Sequence, residues 1–153
     1  MLQIFGGSDE RSCAFSDSIC TGLQLANFAQ DVSVDWRKGR LYLPLDDLSR
    51  FGYTEQDLER GTVDRRFREL MTLQVDRARG LLRAGSPLIA ECPRVIRFEI
   101  ALTVGGGLAI LKKVEQAGFD VLSRRPVIPL LEKGRIVVMA IAHRNPWTSQ
   151  PTQ

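Results

Sequence analysis

Between Gly22 and Trp36 the chain reads GLQLANFAQDVSVDW, with four polar side chains at helical spacing and no Lys or Arg. On a helix turning roughly 100° per residue, Gln24, Asn27, Asp31 and Asp35 fall within an arc of about 80°. Phe28 and Val32 flank that arc on one side, Leu23 and Val34 on the other. An ordinary solvated face would be broader and richer in Lys and Glu. Asp31 and Asp35 stand one turn apart without a cation on their own helix, an arrangement that costs an isolated helix a few tenths of a kcal/mol, ~0.2–0.5. A divalent cation would reverse the sign, and two carboxylates with the Asn27 amide oxygen suit a hard ion such as Mg²⁺. The competing reading is that both acids meet arginines from another helix, or water.

Cationic groups follow at once, in Trp36-Arg37-Lys38-Gly39-Arg40-Leu41-Tyr42-Leu43-Pro44. Arg37 and Lys38 would be favourable at any helix C-terminus. An acidic stripe, a metal and adjacent arginines are also what a diphosphate group requires.

The elements that must position these residues read as helices. Ser8, with Asp9 and Glu10 in the first turn, is a cap for a helix running to about residue 36 and ended by Lys38-Gly39-Arg40. Leu41 to Pro44 reads as extended, because the residue before proline avoids the α region. Short helices follow, one after Pro44 closing near Gly52 and one from Thr54 ending near Gly61. Phe67, Leu70, Met71, Val75, Ala78 and Leu82 predict a long amphipathic helix over 64–84. Pro93 opens another, carrying Ile96, Ile100, Val104, Leu108, Leu111 and Val114. Inside it, Gly105-Gly106-Gly107 costs a solvated helix up to about 3 kcal/mol against alanine. Either close approach of another backbone or a ligand offsets that cost, or the helix breaks or kinks there. Arg124-Arg125-Pro126 breaks the chain, and a last helix is predicted over 130–143, with a frayed tail over 145–153. No strand is predicted; the class is all-α.

The run QLANFAQDVSVDWRKGRLYLP resembles the second aspartate-rich region of squalene and phytoene synthases, all-α enzymes that join two prenyl diphosphates head to head. The resemblance runs from Leu2 to about Val127, including SDSICTGLQLANF and QAGFDVLSRRPV. Within that family the sequence is most similar to the hydroxysqualene synthases of bacterial hopanoid pathways. The resemblance implies the C-terminal half of an isoprenoid-synthase-type helical bundle over 1–144. It also implies Mg²⁺ as cofactor, with Asn27, Asp31 and Asp35 as its ligands. Arg40 and Tyr42 match the GRxYLP stretch near the diphosphate and join Asp31 and Asp35 in the catalytic set. Gln24, Asn27, Arg37, Lys38 and Arg40 are the implied substrate contacts. The implied chemistry is ionisation of an allylic diphosphate, of farnesyl or presqualene type, with the carbocation shielded from water on the way to squalene or hydroxysqualene. Where some relatives carry a cavity tyrosine after a Gln-Ala pair, this chain has Gly118-Phe119 after Gln116-Ala117.

The family's first aspartate-rich motif has no counterpart here: upstream of Gln24 stand only Asp9, Glu10 and Asp17. The expectation is therefore a chain inactive alone, completed by an N-terminal half or self-associating through apolar faces. The alternative is a non-catalytic helical interaction module.

Composition narrows the field. Lys and Arg number 21 against 18 Asp and Glu, a net charge of +3 too small to argue for nucleic acid. The arginines over 65–83 are interleaved with acids, as on a solvated face. No apolar run approaches the roughly 20 residues of a bilayer span, and the start lacks the pattern of a signal peptide. At most peripheral membrane contact and a cytoplasmic place are expected. Cys13, Cys20 and Cys92 show no paired spacing and read as buried reduced thiols. His143 is the single histidine, which removes His-based zinc sites and a Ser-His-Asp triad.

Overall fold

The computed structural model describes residues 10–142, and within them every regular element is a helix. The order is α1 (Glu10–Gln30), α2 (Val32–Trp36), α3 (Leu45–Arg50), α4 (Glu55–Glu59), α5 (Arg65–Gly85), α6 (Leu88–Glu91), α7 (Arg94–Gln116) and α8 (Leu130–Ile141). The expected helix start at Ser8 and Asp9, His143 and the tail over 145–153 lie outside the described residues.

The core is built where α1, α5 and α7 meet. Helix α5 supplies its apolar stripe, with Phe67, Leu70, Met71, Val75, Ala78 and Leu82 all fully buried. Each large side chain of that set contributes about 1.5–3 kcal/mol of burial. Helix α1 buries a smaller stripe, Ile19, Gly22, Ala26 and Ala29, at spacings of three and four. Small residues there let the backbones close. A Cβ on Gly22 would lie 2.9 Å from the Leu82 nitrogen, and one on Gly85 would lie 2.5 Å from the Phe15 carbonyl oxygen. Moving from Phe15 to Gly22 along α1 thus runs back from Gly85 to Ala78 along α5, so the two helices are antiparallel.

The short elements are shaped by their caps. Thr54 and Asp57 form a reciprocal capping box on α4. Gly52 and Gly61 end α3 and α4 with φ of +61° and +67°, a conformation that glycine adopts at little cost. Asp64 accepts from the Phe67 nitrogen at 3.1 Å to cap α5.

Helix α7 runs unbroken through Gly105-Gly106-Gly107. The helix does not kink, and what approaches the last of these glycines is side chain, not the backbone or ligand expected. A Cβ there would meet Leu82 Cδ1 at 2.9 Å and Leu23 Cδ1 at 3.4 Å, where α1, α5 and α7 converge. Helix α7 ends in a left-handed turn at Gly118 (φ +63°) and Phe119 (φ +62°). Phe119 lies half-buried against the core. Beyond that turn the chain crosses to α8, which packs on α7 with Lys113 and Glu132 paired at 2.7 Å.

Two expectations need correction. The helix expected to reach residue 36 breaks at Asp31, whose φ of −104° and ψ of 15° leave the helical region. The thiols expected to be buried are not all so: Cys92 is buried, Cys13 half-buried and Cys20 exposed.

Candidate functional site

The break at Asp31 does not scatter the polar stripe. The Asp31 nitrogen still donates to the Asn27 carbonyl at 2.9 Å, and the Asp35 nitrogen donates to the Asp31 carbonyl at 2.8 Å. Helical bonding therefore carries across the α1–α2 junction, leaving Asn27, Asp31 and Asp35 at successive turns. The distortion coincides with an incoming loop. Arg125, from the segment between α7 and α8, pairs bidentately with Asp31: its Nε donates to Oδ1, and its Nη2 to Oδ2 at 3.1 Å. The next side chain back, Gln30, is buried and donates through Nε2 to the Pro126 carbonyl at 2.6 Å. Two consecutive residues of the junction thus grip two consecutive residues of the loop. Of the two readings for the acids, Asp31 meets an arginine; Asp35 makes no side-chain hydrogen bond or ion pair with any described residue.

Asp35 faces a different neighbourhood. With Phe28, Val32, Arg40, Leu41, Tyr42 and Leu43 it lines a niche of about 10 Å³, room for about one water molecule. The loop over 37–44 closes this niche. The nitrogens of Lys38 and Arg40 both donate to the Asp35 carbonyl at 2.9 Å, wrapping the chain around the end of α2. Gly39, with φ +69°, makes that tight reversal possible. Tyr42 then lays its ring parallel on Phe28, centroids 4.1 Å apart, while Leu43 is buried beneath. Such a stack contributes about 0.5–1.5 kcal/mol beyond its area.

The remaining candidates separate. Gln24 and Asn27 lie exposed on α1, without side-chain hydrogen bonds to described residues, leading up to the acids. Arg37 turns back on its own helix, its Nε donating to the Ser33 carbonyl at 3.0 Å. Lys38 is exposed in the turn. The structure brings Asp35, Arg40 and Tyr42 together and holds Asp31 beside them with Arg125; it does not bring Arg37 or Lys38 into the niche.

The donor set is chemically suited to a hard cation. All candidate ligands are oxygens, with Asp35 and Asn27 open and Asp31 shared with Arg125. No group of three or more acidic, Cys or His side chains forms a protein-only cage among the described residues. Such a set matches an ion that keeps water and takes phosphate oxygens as its other ligands. No local signal in the sequence marks Arg125: Arg124-Arg125-Pro126 reads as a chain break, and the partner lies 94 residues away.

Comparison with known proteins supplies the family. A squalene/phytoene synthase family model matches residues 1–132. The chain belongs to the squalene/phytoene synthase family. It is 40% identical over 119 residues to a phytoene synthase of Arthrospira platensis, covering 76% of this chain and 38% of that protein. A phytoene synthase of Thermus thermophilus is 34% identical over 147 residues, covering 95% of this chain and 50% of its own length. Among solved structures, squalene synthase HpnC from Alicyclobacillus acidocaldarius superposes with a TM-score of 0.74 at 36% identity. That match covers 77% of this chain and 45% of the other. The chain thus spans half or less of the length of these relatives, and the squalene/phytoene synthase bundle is the fold it shares. No helix among the described residues is long and apolar enough to cross a membrane.

Proposed function

We propose that this chain forms the diphosphate-gripping side of a prenyltransferase that acts on farnesyl diphosphate or presqualene diphosphate on the way to squalene or hydroxysqualene. The observation that carries the reading is the run of Asn27, Asp31 and Asp35 at successive turns, with Arg40 and Tyr42 folded around its Asp35 end. In this reading Asn27, Asp31 and Asp35 hold Mg²⁺, which when bound supplies Lewis-acid stabilisation of the leaving diphosphate. Arg40 contributes a charge-assisted contact to the diphosphate oxygens. Tyr42, fixed by its stack on Phe28, orients its hydroxyl at the same end. Arg125 keeps Asp31 aimed until substrate arrives, and Gln24 lines the face leading away from the charge.

The apolar part of such a substrate needs a different surface. Between α7 and α8 an open groove of about 1640 Å³ is lined by Gly105, Leu108, Ala109, Ile136, Val138 and Met139, among others. Leu130 and Leu131 remain 85% and 89% exposed beside it. This exposure favours an additional reading as an interaction surface, for an N-terminal half bearing a first aspartate motif or for a second copy. Catalysis by the chain without such a completion is not part of the proposal. Neither is nucleic acid: Arg66, Arg77 and Arg79 are engaged with Asp57, Asp64, Asp47, Asp76 and Glu115. The proposed place is cytoplasmic, with at most peripheral membrane contact.

Calorimetric titration with farnesyl diphosphate tests the proposal. Binding is expected to require Mg²⁺ and to be lost in Asp35→Asn and Asn27→Ala. Binding that is indifferent to Mg²⁺, or unchanged in Asp35→Asn, would remove the metal assignment.

A further inference from the structure

Between Leu41 and Pro44 the loop that carries Arg40 and Tyr42 uses none of its own backbone nitrogens in a hydrogen bond to described residues. Its upstream end is tied to the Asp35 carbonyl. Its downstream end enters α3, a helix of six residues whose N-cap, Pro44, offers no side-chain cap. So short a helix does not hold itself in water and must be fixed by tertiary contacts.

The fixing contact is polar and lies on the core side. Asp47 is buried in the first turn of α3 and meets two residues of α5. Gln74, itself buried, donates through Nε2 to Asp47 Oδ2 at 2.8 Å. Arg77 donates through Nη1 to the same oxygen and through Nη2 to Oδ1 at 3.2 Å. A planar bidentate guanidinium pair fixes orientation as well as distance. Leu48, the next residue, is buried in the core. The carboxylate is used up by the clamp and is not offered to a ligand. Helix α5 is also the helix that packs against α1 through Gly22 and Gly85, so the loop and the acids are referenced to one rigid body.

We propose that Asp47 is a positioning residue: clamped by Gln74 and Arg77, it fixes α3 on α5 and so holds Arg40 and Tyr42 opposite Asp35. The inference rests on the diphosphate reading of the niche and adds the device that keeps the niche assembled. Misplacing a binding group by about 1 Å costs on the order of a hundredfold where geometry decides the interaction.

The chain has two tyrosines, Tyr42 and Tyr53, and they make the test internal. Tyr42 depends on the loop, whereas Tyr53 is buried, donates to the Thr62 carbonyl at 2.8 Å and packs on Phe67. Ring-labelled tyrosine is observed by NMR in the full chain, in Asp47→Asn and in Arg77→Met. The second variant changes a half-exposed side chain and so guards against a first that fails to fold. In parallel, Mg²⁺-dependent binding of inorganic diphosphate is measured by calorimetry. The expected result is that in both variants the Tyr42 signals lose their ring-current shift from Phe28 while those of Tyr53 stay. Diphosphate binding weakens on the order of tenfold or more. Unmoved Tyr42 signals with unchanged binding overturn the clamp. Tyr42 and Tyr53 moving together also overturn it, by showing only loss of fold. No Mg²⁺-dependent binding in the unsubstituted chain is a different failure: it overturns the diphosphate reading and the positioning role with it.

Discussion

Replacing Gly85 by alanine places a Cβ 2.5 Å from the Phe15 carbonyl oxygen, 2.5 Å from Ile19 Cγ1 and 3.0 Å from the Ile19 nitrogen. Two of these three atoms are backbone of α1 and cannot swing aside. The helices must separate, and overpacking of this kind costs about 1–3 kcal/mol. With two contacts at 2.5 Å the cost lies in the upper part of that range, about 2–3 kcal/mol, and alanine returns up to about 1 kcal/mol of helix propensity, so the net loss is about 1–2 kcal/mol. For a chain of this size each kcal/mol moves Tm by about 2–4 °C, predicting a drop of roughly 2–8 °C. Gly80 is the control on the same helix: it is exposed, and a Cβ there meets nothing within 4 Å. Gly80→Ala should gain about 0.5–1 kcal/mol and raise Tm by about 1–4 °C. Thermal unfolding followed by circular dichroism at neutral pH reads both. A Gly85→Ala variant at or above the Tm of the unsubstituted chain would refute the close approach of α1 and α5, and with it the frame that carries the acidic stripe.

Two further outcomes follow from buried polar groups. Gln30→Leu strips the Pro126 carbonyl of its donor; it should cost about 1–3 kcal/mol and speed amide exchange over 120–128, read by hydrogen-exchange mass spectrometry. Arg77, by hydrogen bonding, holds the Asp47 carboxyl below its ordinary value, against the opposing effect of burial. A lowered folded pKa gives stability that is present above the unfolded value of about 3.9 and is lost as pH falls through the folded value. The stability of Asp47→Asn against denaturant should therefore be lower than that of the unsubstituted chain at pH 7 and fall less steeply on acidification below about pH 4. A parallel acid loss in both would show that Asp47 is not the group responsible.

Much of the architecture was legible because its causes are local. Thr54 with Asp57, Asp64, and the glycines at 52 and 61 mark helix ends through hydrogen bonds and dihedral preferences within a few residues. The stripe of α5 was legible because its buried apolar side chains repeat at helical spacing on one face. What escaped was set by distant chain. Asp31 leaves the helical region where Arg125 and Pro126 arrive, and nothing near Asp31 or Gln30 announces their partners, 94 and 96 positions away. The glycine run over 105–107 does not kink; leucine side chains from α1 and α5, not another backbone, lie against Gly107, and nothing lies within 4 Å of a Cβ on Gly106. Of the candidate site, Asp35, Arg40 and Tyr42 share a niche because the turn at Gly39 folds them together. Arg37 belonged to the same charged run, yet it caps the Ser33 carbonyl, an outcome favoured at any helix end. A cysteine's apolar tendency says nothing of which helix face it occupies, and Cys20 falls on an exposed one.

The claim on which the functional reading stands is that a divalent cation and a diphosphate meet at the α1–α2 junction. Paramagnetic Mn²⁺ in place of Mg²⁺, added with inorganic diphosphate to the ¹⁵N-labelled chain, tests it most directly. The account predicts that the amide signals of Asn27, Asp31, Asp35 and Arg40 broaden first, and that omitting diphosphate greatly weakens the effect. Broadening centred instead on the acids of α3 and α4, or none at the junction at saturating diphosphate, would contradict it.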